Sequence, residues 1–346
     1  MVSPAARVAE WQTRRTQNPL LERACGFESR PGHAVTLDVM TPSLPLRDDV
    51  VGLFPGQGSL ASGAGLAWQQ SRHWHLVQEV SIAADVDVEN LLLEASDAEL
   101  VRTDRAQIAT FALSMVGYHD LLDYGIRPRY LLGHSLGEFS ALVASGLLSV
   151  GEGARLIAVR GLAMAQAASD TDGAMVALMG GDEEARLRIE EIDGVWVANI
   201  NGAAQIVLSG HRDRVDHVLA HHRELGWKRA ALLAVGGAFH SPLMAPAQSA
   251  LDSALMATVW GETDHVIIAN VDGVAHSQAR EWQSLLSRQL TSPVEFLSAT
   301  RALPATVATT IEMPPSGVLT GLTKRIRDFD FQISLDSHDT LMEMKI

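Results

Sequence analysis

The chain has 346 residues, 47% of them hydrophobic and 20% charged, which is the composition of a globular protein large enough to bury a substantial core. The 41 acidic residues outnumber the 27 basic ones and give a net charge of −14. This charge argues against broad binding to nucleic acid, because a phosphate backbone attracts a basic face. No apolar run reaches the roughly 18 to 20 residues that cross a bilayer, so we expect no membrane span.

The first 39 residues show no periodic apolar face and no apolar core of a signal peptide. Back-translation of GFESRP, residues 26–31, gives a string that resembles the T arm of a transfer-RNA gene. We therefore expect residues 1–39 to be disordered or foreign to the natural protein, which would start at Met40. The single cysteine, Cys25, allows no internal disulfide and fits a reducing, cytoplasmic setting.

The rest of the chain alternates buried strands with helices. VVGLF, residues 50–54, predicts a strand that ends at Pro55 in a glycine loop. A mostly helical region to about Tyr124 is followed by the strand RPRYLLG and by the helices LGEFSALVASG and EGARLIAVRGLAMAQAAS.

Residues 173–235 differ from the preceding region in their order of predicted elements, which is strand, helix, strand, strand, helix and strand. This order indicates a small ferredoxin-like α+β subdomain inserted into a larger α/β domain. Helical patterns return after Val235, with one more strand in HVIIAN and a helix in EWQSLLSRQL. The predicted large domain thus comprises residues 40–172 and 236–346.

The stretch GHSLGEFSALVASG, residues 133–146, places Ser135 in the pattern G-x-S-x-G between a strand and a helix. A strand–turn–helix context is what a nucleophile elbow requires, and glycines at 133 and 137 would let strand and helix approach closely. The helix start would also direct free N–H groups toward the attacked group. The alternative is that Ser135 is an ordinary N-cap.

A serine nucleophile needs a base, and 13 histidines compete for that role. Three of them, His217, His221 and His222, lie on a charged helix and are expected in solvent. His134 adjoins Ser135 and fits a supporting role better. His240, in VGGAFHSPLMAP, is predicted at the end of a strand, from which it could reach across a cleft.

Six motifs occur in one order at characteristic distances: FPGQGS, GHSLGEFSALVASG, RGLAM, AFHSPLM, RQLTSPVEF and GVLTGLTKRI. Together they resemble the malonyl-CoA:acyl-carrier-protein transacylases and the acyltransferase domains of polyketide synthases. The resemblance extends from about Val50 to Arg327. It implies an α/β-hydrolase-like large domain with an inserted ferredoxin-like small subdomain.

The resemblance implies that Ser135 takes the acyl group from coenzyme A and that His240 is the base. It implies that the main-chain carbonyl of Gln289 orients His240, where other hydrolases use an acidic side chain. The main-chain N–H groups of Gln57 and Leu136 match the oxyanion hole.

Further matches concern substrate binding. Gln107 matches a pocket-lining glutamine, although Ile108 replaces the usual proline after it, and Asn201 matches an asparagine at the pocket edge. Arg160, 25 residues after Ser135, matches the residue that clamps the free carboxylate of malonate. Without the resemblance, Arg160 would be interpreted as a solvated helix arginine.

Phe239, in the AFHS motif, implies malonyl in preference to methylmalonyl, because its ring would fill the space of the methyl branch. The same motif leans toward polyketide synthesis, and fatty-acid synthesis stays open. The sequence departs from the family pattern at two places. EMPPSG, residues 312–317, replaces E-x-G-P-G, and Leu60 stands where many members have glutamine. We expect altered packing at EMPPSG and intact chemistry.

The sequence therefore predicts a cytoplasmic [acyl-carrier-protein] S-malonyltransferase that forms an acyl-enzyme. Its expected substrate is malonyl-CoA, its expected partner is an acyl carrier protein with a phosphopantetheine arm, and no permanent cofactor, metal, nucleic acid or membrane is expected. We expect it to act as a monomer, with the carrier docking near the cleft between the two domains. An acyl hydrolase on the same scaffold and a non-catalytic carrier-binding protein are the alternatives.

Overall fold

The computed structural model describes residues 44–343. The predicted N-terminal extension, residues 1–39, lies outside this range. Ten strands in the described part form two sheets: β1 Leu46–Phe54, β2 Arg127–Gly133, β3 Gly173–Met179, β4 Val195–Gly202, β5 Gln205–His211, β6 Arg229–Leu232, β7 Val266–Ile268, β8 Ala275–His276, β9 Thr309–Glu312 and β10 Phe331–Ser334.

The larger sheet has six strands in the order β10-β9-β1-β2-β7-β8. Every pairing in it is parallel except the last, where β8 runs antiparallel to β7 at the edge. The five residues from Val50 to Phe54 are all buried, as expected for a central strand covered by helices on both faces. The carboxyl ends of β1, β2 and β7 therefore lie side by side, which brings together the loops that follow them.

Thirteen α-helices are present within residues 44–343: α1 His75–Ala84, α2 Val88–Leu93, α3 Asp97–Leu100, α4 Thr103–Asp123, α5 Gly137–Ala144, α6 Val150–Ser169, α7 Glu183–Glu190, α8 Arg212–His221, α9 Ala245–Met256, α10 Ala279–Gln289, α11 Phe296–Ala302, α12 Val318–Thr323 and α13 His338–Glu343. The two longest, α4 and α6, pack against each other beside the large sheet. Among the described helices, none combines the length and the apolar character needed to span a bilayer.

The smaller sheet has the order β4-β5-β3-β6, and all its pairings are antiparallel. With α7 and α8 it forms the β-α-β-β-α-β arrangement of a ferredoxin-like fold, and it has a hydrophobic core of its own that includes Val176, Leu208 and Trp227. The predicted fold class, an α/β-hydrolase-like domain with an inserted ferredoxin-like subdomain, is confirmed.

A short backbone connection joins β4 of the small sheet to the segment after α10, close to the site described below. The Val294 N–H donates to the Ala198 carbonyl, and the Ile200 N–H donates to the Val294 carbonyl, each at 2.9 Å. Because Val294 follows α10 in the chain, this connection sets the end of β4 next to the end of α10.

Candidate active site

Ser135 lies at the turn between β2 and α5 with φ of 55°, a left-handed conformation that is strained for a residue with a side chain. The two flanking glycines make the turn possible. A Cβ at Gly133 would lie 2.1 Å from the Glu138 nitrogen, and one at Gly137 would lie 1.9 Å from the Phe54 carbonyl oxygen. The N-cap alternative is wrong for Ser135, because Leu136 occupies that position and no side chain caps the helix.

His240 reaches Ser135 directly, with 2.7 Å between its Nε2 and the serine Oγ. Its Nδ1 lies 2.8 Å from the main-chain oxygen of Gln289. A carbonyl oxygen only accepts, so this contact assigns the ring proton to Nδ1 and leaves Nε2 free to accept the serine proton. Burial, and after it the charge of Arg160, lowers the pKa of His240 to about 3 and keeps the ring neutral at neutral pH.

The prediction that His240 ends a strand is wrong, because β6 stops at Leu232. The intervening residues form a loop that contains Gly236 and Gly237 and leads to His240 with φ of 57°. A Cβ at Gly237 would lie 2.4 Å from the Ala168 Cβ, so the loop packs tightly on the end of α6. This tight packing, and not strand pairing, holds the histidine in place.

His134 points away from the serine hydroxyl. Its Nε2 lies 2.9 Å from Oδ1 of Asn201, a buried residue on β4, and its ring lies 5.4 Å from that of Phe296. Burial is the main cause that lowers the pKa of His134. The contact with Asn201 joins the serine turn to the small sheet, so His134 and Asn201 support the site from one side.

Arg160, on α6, is only 1% exposed, so the solvated alternative for this residue is wrong. Its Nη1 donates to Gln107 Oε1 at 2.5 Å, and its Nη2 donates to Gln289 Oε1 at 2.9 Å and to Ser135 Oγ at 3.2 Å. Its Nε, although buried, has no hydrogen-bond partner among the described residues. Burial lowers the pKa of Arg160 to about 10, so the guanidinium stays charged at neutral pH.

The two expected oxyanion donors lie on the serine turn itself and on a loop that packs against it. Leu136 precedes the first turn of α5, where main-chain N–H groups have no acceptor within the helix. Gln57 begins the short turn after β1, and this loop lies against the serine turn, since a Cβ at Gly56 would be 3.1 Å from the His134 carbonyl oxygen. The loop that carries Gln57 therefore contacts the turn that carries Ser135 and Leu136, and the role of the two N–H groups in binding an oxyanion stays a prediction.

A chain of side-chain hydrogen bonds connects Arg160 with the Gln57 loop. Gln107, whose oxygen accepts from Arg160, donates through Nε2 to Thr103 Oγ1 at 2.7 Å. The Thr103 hydroxyl in turn donates to Gln57 Oε1 at 2.8 Å. Gln107 is therefore a partner of the guanidinium in this structure. Phe239 is 4% exposed and packs in the main core next to the histidine.

Two buried residues that the sequence analysis did not select also belong to the site. Glu138 is fully buried and accepts from the Asn270 N–H and from Gln289 Nε2. Asn270 accepts from the Ser135 N–H through Oδ1 and donates to the Gly133 carbonyl through Nδ2, both at 2.7 Å. A polar residue at the end of HVIIAN, just after the strand, and a carboxylate within an apolar helix were the signals that could have identified them.

Comparison with known proteins gives consistent results. The acyl transferase domain family matches residues 51–329. A malonyl CoA-acyl carrier protein transacylase of Bacillus subtilis (strain 168) is 37% identical over 282 residues, which are 79% of this chain and 89% of the relative.

Solved structures agree with the sequence relatives. The crystal structure of MCAT from Mycobacterium tuberculosis has a TM-score of 0.79 and 31% identity and covers 85% of this chain and 98% of that chain. The malonyl-transacylase in a complex with its type II PKS acyl-carrier protein has a TM-score of 0.80 and 30% identity. The match covers 85% of this chain and 98% of that chain.

Proposed function

The chain belongs to the acyl transferase domain family, and from that premise we propose that it transfers a malonyl group from malonyl-CoA to the phosphopantetheine thiol of an acyl carrier protein. One observation carries the proposal. The Ser135 hydroxyl lies 2.7 Å from a neutral histidine nitrogen and 3.2 Å from a buried guanidinium, that of Arg160. A nucleophile with a base on one side and a cation on the other suits an acyl donor that carries a carboxylate.

In the first half-reaction, Nε2 of His240 takes the Ser135 proton as Oγ attacks the thioester carbonyl carbon. The carbonyl oxygen becomes an oxyanion that the N–H groups of Gln57 and Leu136 stabilise. The intermediate then collapses: the carbon–sulfur bond breaks, the leaving thiolate takes the proton from His240, and the malonyl group remains as an ester of Ser135.

Arg160 selects the acyl group in this scheme. A carboxylate pairs side-on with the guanidinium edge that Nε and Nη2 form, and Nε is the atom that has no partner among residues 44–343. The pair also affects the base. The charge of Arg160 is one cause of the low pKa of His240, so a carboxylate that neutralises this charge raises the basicity of the imidazole.

In the second half-reaction, His240 accepts the proton of the carrier thiol, whose sulfur attacks the Ser135 ester. Collapse of that intermediate releases malonyl-carrier, and the serine oxygen recovers its proton from the histidine. A neutral carbonyl, that of Gln289, orients the ring and adds no negative charge beside the substrate carboxylate. All proton transfers use this chain's own residues, so the proposal includes no resident metal or cofactor.

Two finer assignments complete the proposal. The buried ring of Phe239, next to the base, favours malonyl over methylmalonyl by about 1 to 3 kcal/mol, the worth of one methyl group in an apolar pocket. The carrier belongs to polyketide or fatty-acid synthesis, and we favour polyketide synthesis on the AFH motif. The relative whose structure holds a type II PKS carrier protein supports this choice.

The test is intact-protein mass after brief mixing with malonyl-, methylmalonyl- or acetyl-CoA, with and without a phosphopantetheinylated carrier. We expect a malonyl adduct that depends on Ser135, persists alone and moves to the carrier. An adduct that decays to free acid without a carrier would instead make the protein an acyl hydrolase. No adduct from any of the three would favour a non-catalytic carrier-binding protein.

A further inference from the structure

We infer that Glu138 is a positioning residue. It fixes the orientation of the Gln289 side-chain amide, and this amide in turn holds the Arg160 guanidinium where it can bind the malonyl carboxylate. The inference rests on the proposed function, because it concerns how the same site recognises malonate.

Glu138 lies in the first turn of α5 and is fully buried. One carboxylate oxygen accepts the main-chain N–H of Asn270 at 2.6 Å, and the other accepts from Gln289 Nε2. The N–H of Asn270 can only donate, so this contact anchors the carboxylate. Within residues 44–343, the Glu138 side chain forms hydrogen bonds with Asn270 and Gln289 and none with Ser135 Oγ or His240, so it acts through its neighbours.

The carboxylate determines which way the Gln289 amide faces. Nε2 of Gln289 has two protons, and it directs them to Glu138 and to the Ser135 carbonyl oxygen, the latter at 2.9 Å. Both partners are acceptors, so the amide oxygen is left on the opposite side, 2.9 Å from Nη2 of Arg160. A reversed amide would place N–H groups against the guanidinium, which itself offers only donors.

An ionised glutamate is suited to this position because it offers two acceptors to two donors. A glutamine at 138 would offer one acceptor and one donor, so one of its two contacts, with Asn270 or with Gln289, would set donor against donor. Reversal of Gln289 would remove this conflict only by setting its oxygen against the Ser135 carbonyl and its N–H groups against the guanidinium, so either amide orientation disturbs the acceptor that holds Nη2 of Arg160. The expected consequence is a displaced clamp in an intact fold.

Glu138 also compensates the charge of Arg160 without bonding directly to the guanidinium. Arg160 forms no salt bridge with any residue from 44 to 343, and the charge of Glu138 opposes the lowering of its pKa by burial. The Gln289 amide lies between the two side chains. A direct ion pair would have to break before malonate could bind, whereas this arrangement leaves Nε of Arg160 without a partner among the described residues.

Two effects of removing the Glu138 charge oppose each other in substrate affinity. Repulsion of the malonyl carboxylate falls, which favours binding, while the clamp loses its orientation, which disfavours it. Orientation acts more strongly on the chemical step, because small displacements of a reacting group reduce rate steeply. We therefore expect removal of the Glu138 charge to lower kcat and to leave KM little altered.

The test is Glu138→Gln, assayed for enzyme acylation by malonyl-CoA and by acetyl-CoA. We expect kcat with malonyl-CoA to fall about tenfold or more, in line with the loss of a hydrogen bond to a charged group. Acetyl transfer, which does not use the clamp, should change by less than about threefold. In an Arg160→Ala background the same change should cause no further loss with malonyl-CoA, because Glu138 would have no clamp to position.

Glu312→Gln is the matched control. Glu312 is another fully buried carboxylate, and it accepts main-chain N–H groups of Gly317, Leu319 and Thr320 around the start of α12. We expect this variant to lose stability and keep the malonyl-to-acetyl ratio. Equal losses with both substrates in Glu138→Gln, or additive losses with Arg160→Ala, would reduce Glu138 to a structural role and overturn the inference.

A second measurement needs no variant. Burial raises the pKa of Glu138 to about 7. As pH falls through this range the carboxylate gains a proton and loses an acceptor, so the malonyl rate at saturating substrate should fall on the acid side more than the acetyl rate. Parallel pH profiles would overturn the inference. Absence of any malonyl-enzyme in the wild type would instead refute the proposed function itself, and the inference with it.

Discussion

Replacement of Arg160 by alanine removes the cation that we assign to malonate recognition. In the free protein the side chain is buried and its Nε has no partner among the described residues. A side-on carboxylate would form two charge-assisted hydrogen bonds there, each worth about 1.5 to 3 kcal/mol. The Gln107 and Gln289 oxygens lose a donor in the variant, and relaxation around them offsets part of the effect.

A net loss of about 3 to 4 kcal/mol corresponds to about 10²- to 10³-fold in kcat/KM with malonyl-CoA. Acetyl-CoA has no free carboxylate, so its rate should stay constant or rise. A rise is expected because Arg160 is the second cause, after burial, of the low pKa of His240, and its removal makes the base stronger. The malonyl-to-acetyl ratio should therefore collapse.

The assay is coenzyme A release with each thioester in single turnover. Arg155→Ala is the matched control, since Arg155 lies on the same helix, forms a surface ion pair with Glu152, and is 37% exposed in its side chain. It should leave the ratio unchanged. An equal loss with both substrates in Arg160→Ala would refute the assignment of Arg160 as the carboxylate clamp.

Three further predictions follow from the same geometry. Ser135→Ala should abolish covalent labelling by malonyl-CoA in intact mass, and residual labelling would place the acyl group on another residue. Gly137→Ala would bring a Cβ to 1.9 Å from the Phe54 carbonyl oxygen, so we expect a loss of about 4 kcal/mol or more in urea unfolding; a wild-type midpoint would contradict the close approach. Phe239→Ser should raise the relative rate with methylmalonyl-CoA by about tenfold or more, and an unchanged ratio would remove this ring from substrate selection.

Sequence reasoning succeeded where one local pattern determines local structure. The strand before Ser135 and the helix after it follow from apolar periodicity, and the two glycines follow from the close approach of those elements. The β-α-β-β-α-β order of residues 173–235 was likewise sufficient for the small sheet. The family motifs selected His240 and Arg160, which the fold brings within hydrogen-bond distance of the serine.

What the sequence did not provide depends on contacts between distant segments. Glu138 and Asn270 are 132 residues apart, and the Gln289 amide that joins Glu138 to Arg160 lies 151 residues after Glu138. No periodicity encodes which way an amide faces. The strand predicted to end at His240 failed for a related reason, because packing of Gly237 on Ala168 sets that loop.

A crystal structure of the acyl-enzyme, trapped after brief exposure to malonyl-CoA, tests the central claim most directly. The account predicts a malonyl ester on Ser135 Oγ, with the free carboxylate paired to Nε and Nη2 of Arg160 and the carbonyl oxygen facing the N–H groups of Gln57 and Leu136. An unmodified serine, or a malonyl ester whose carboxylate turns away from Arg160, would contradict it.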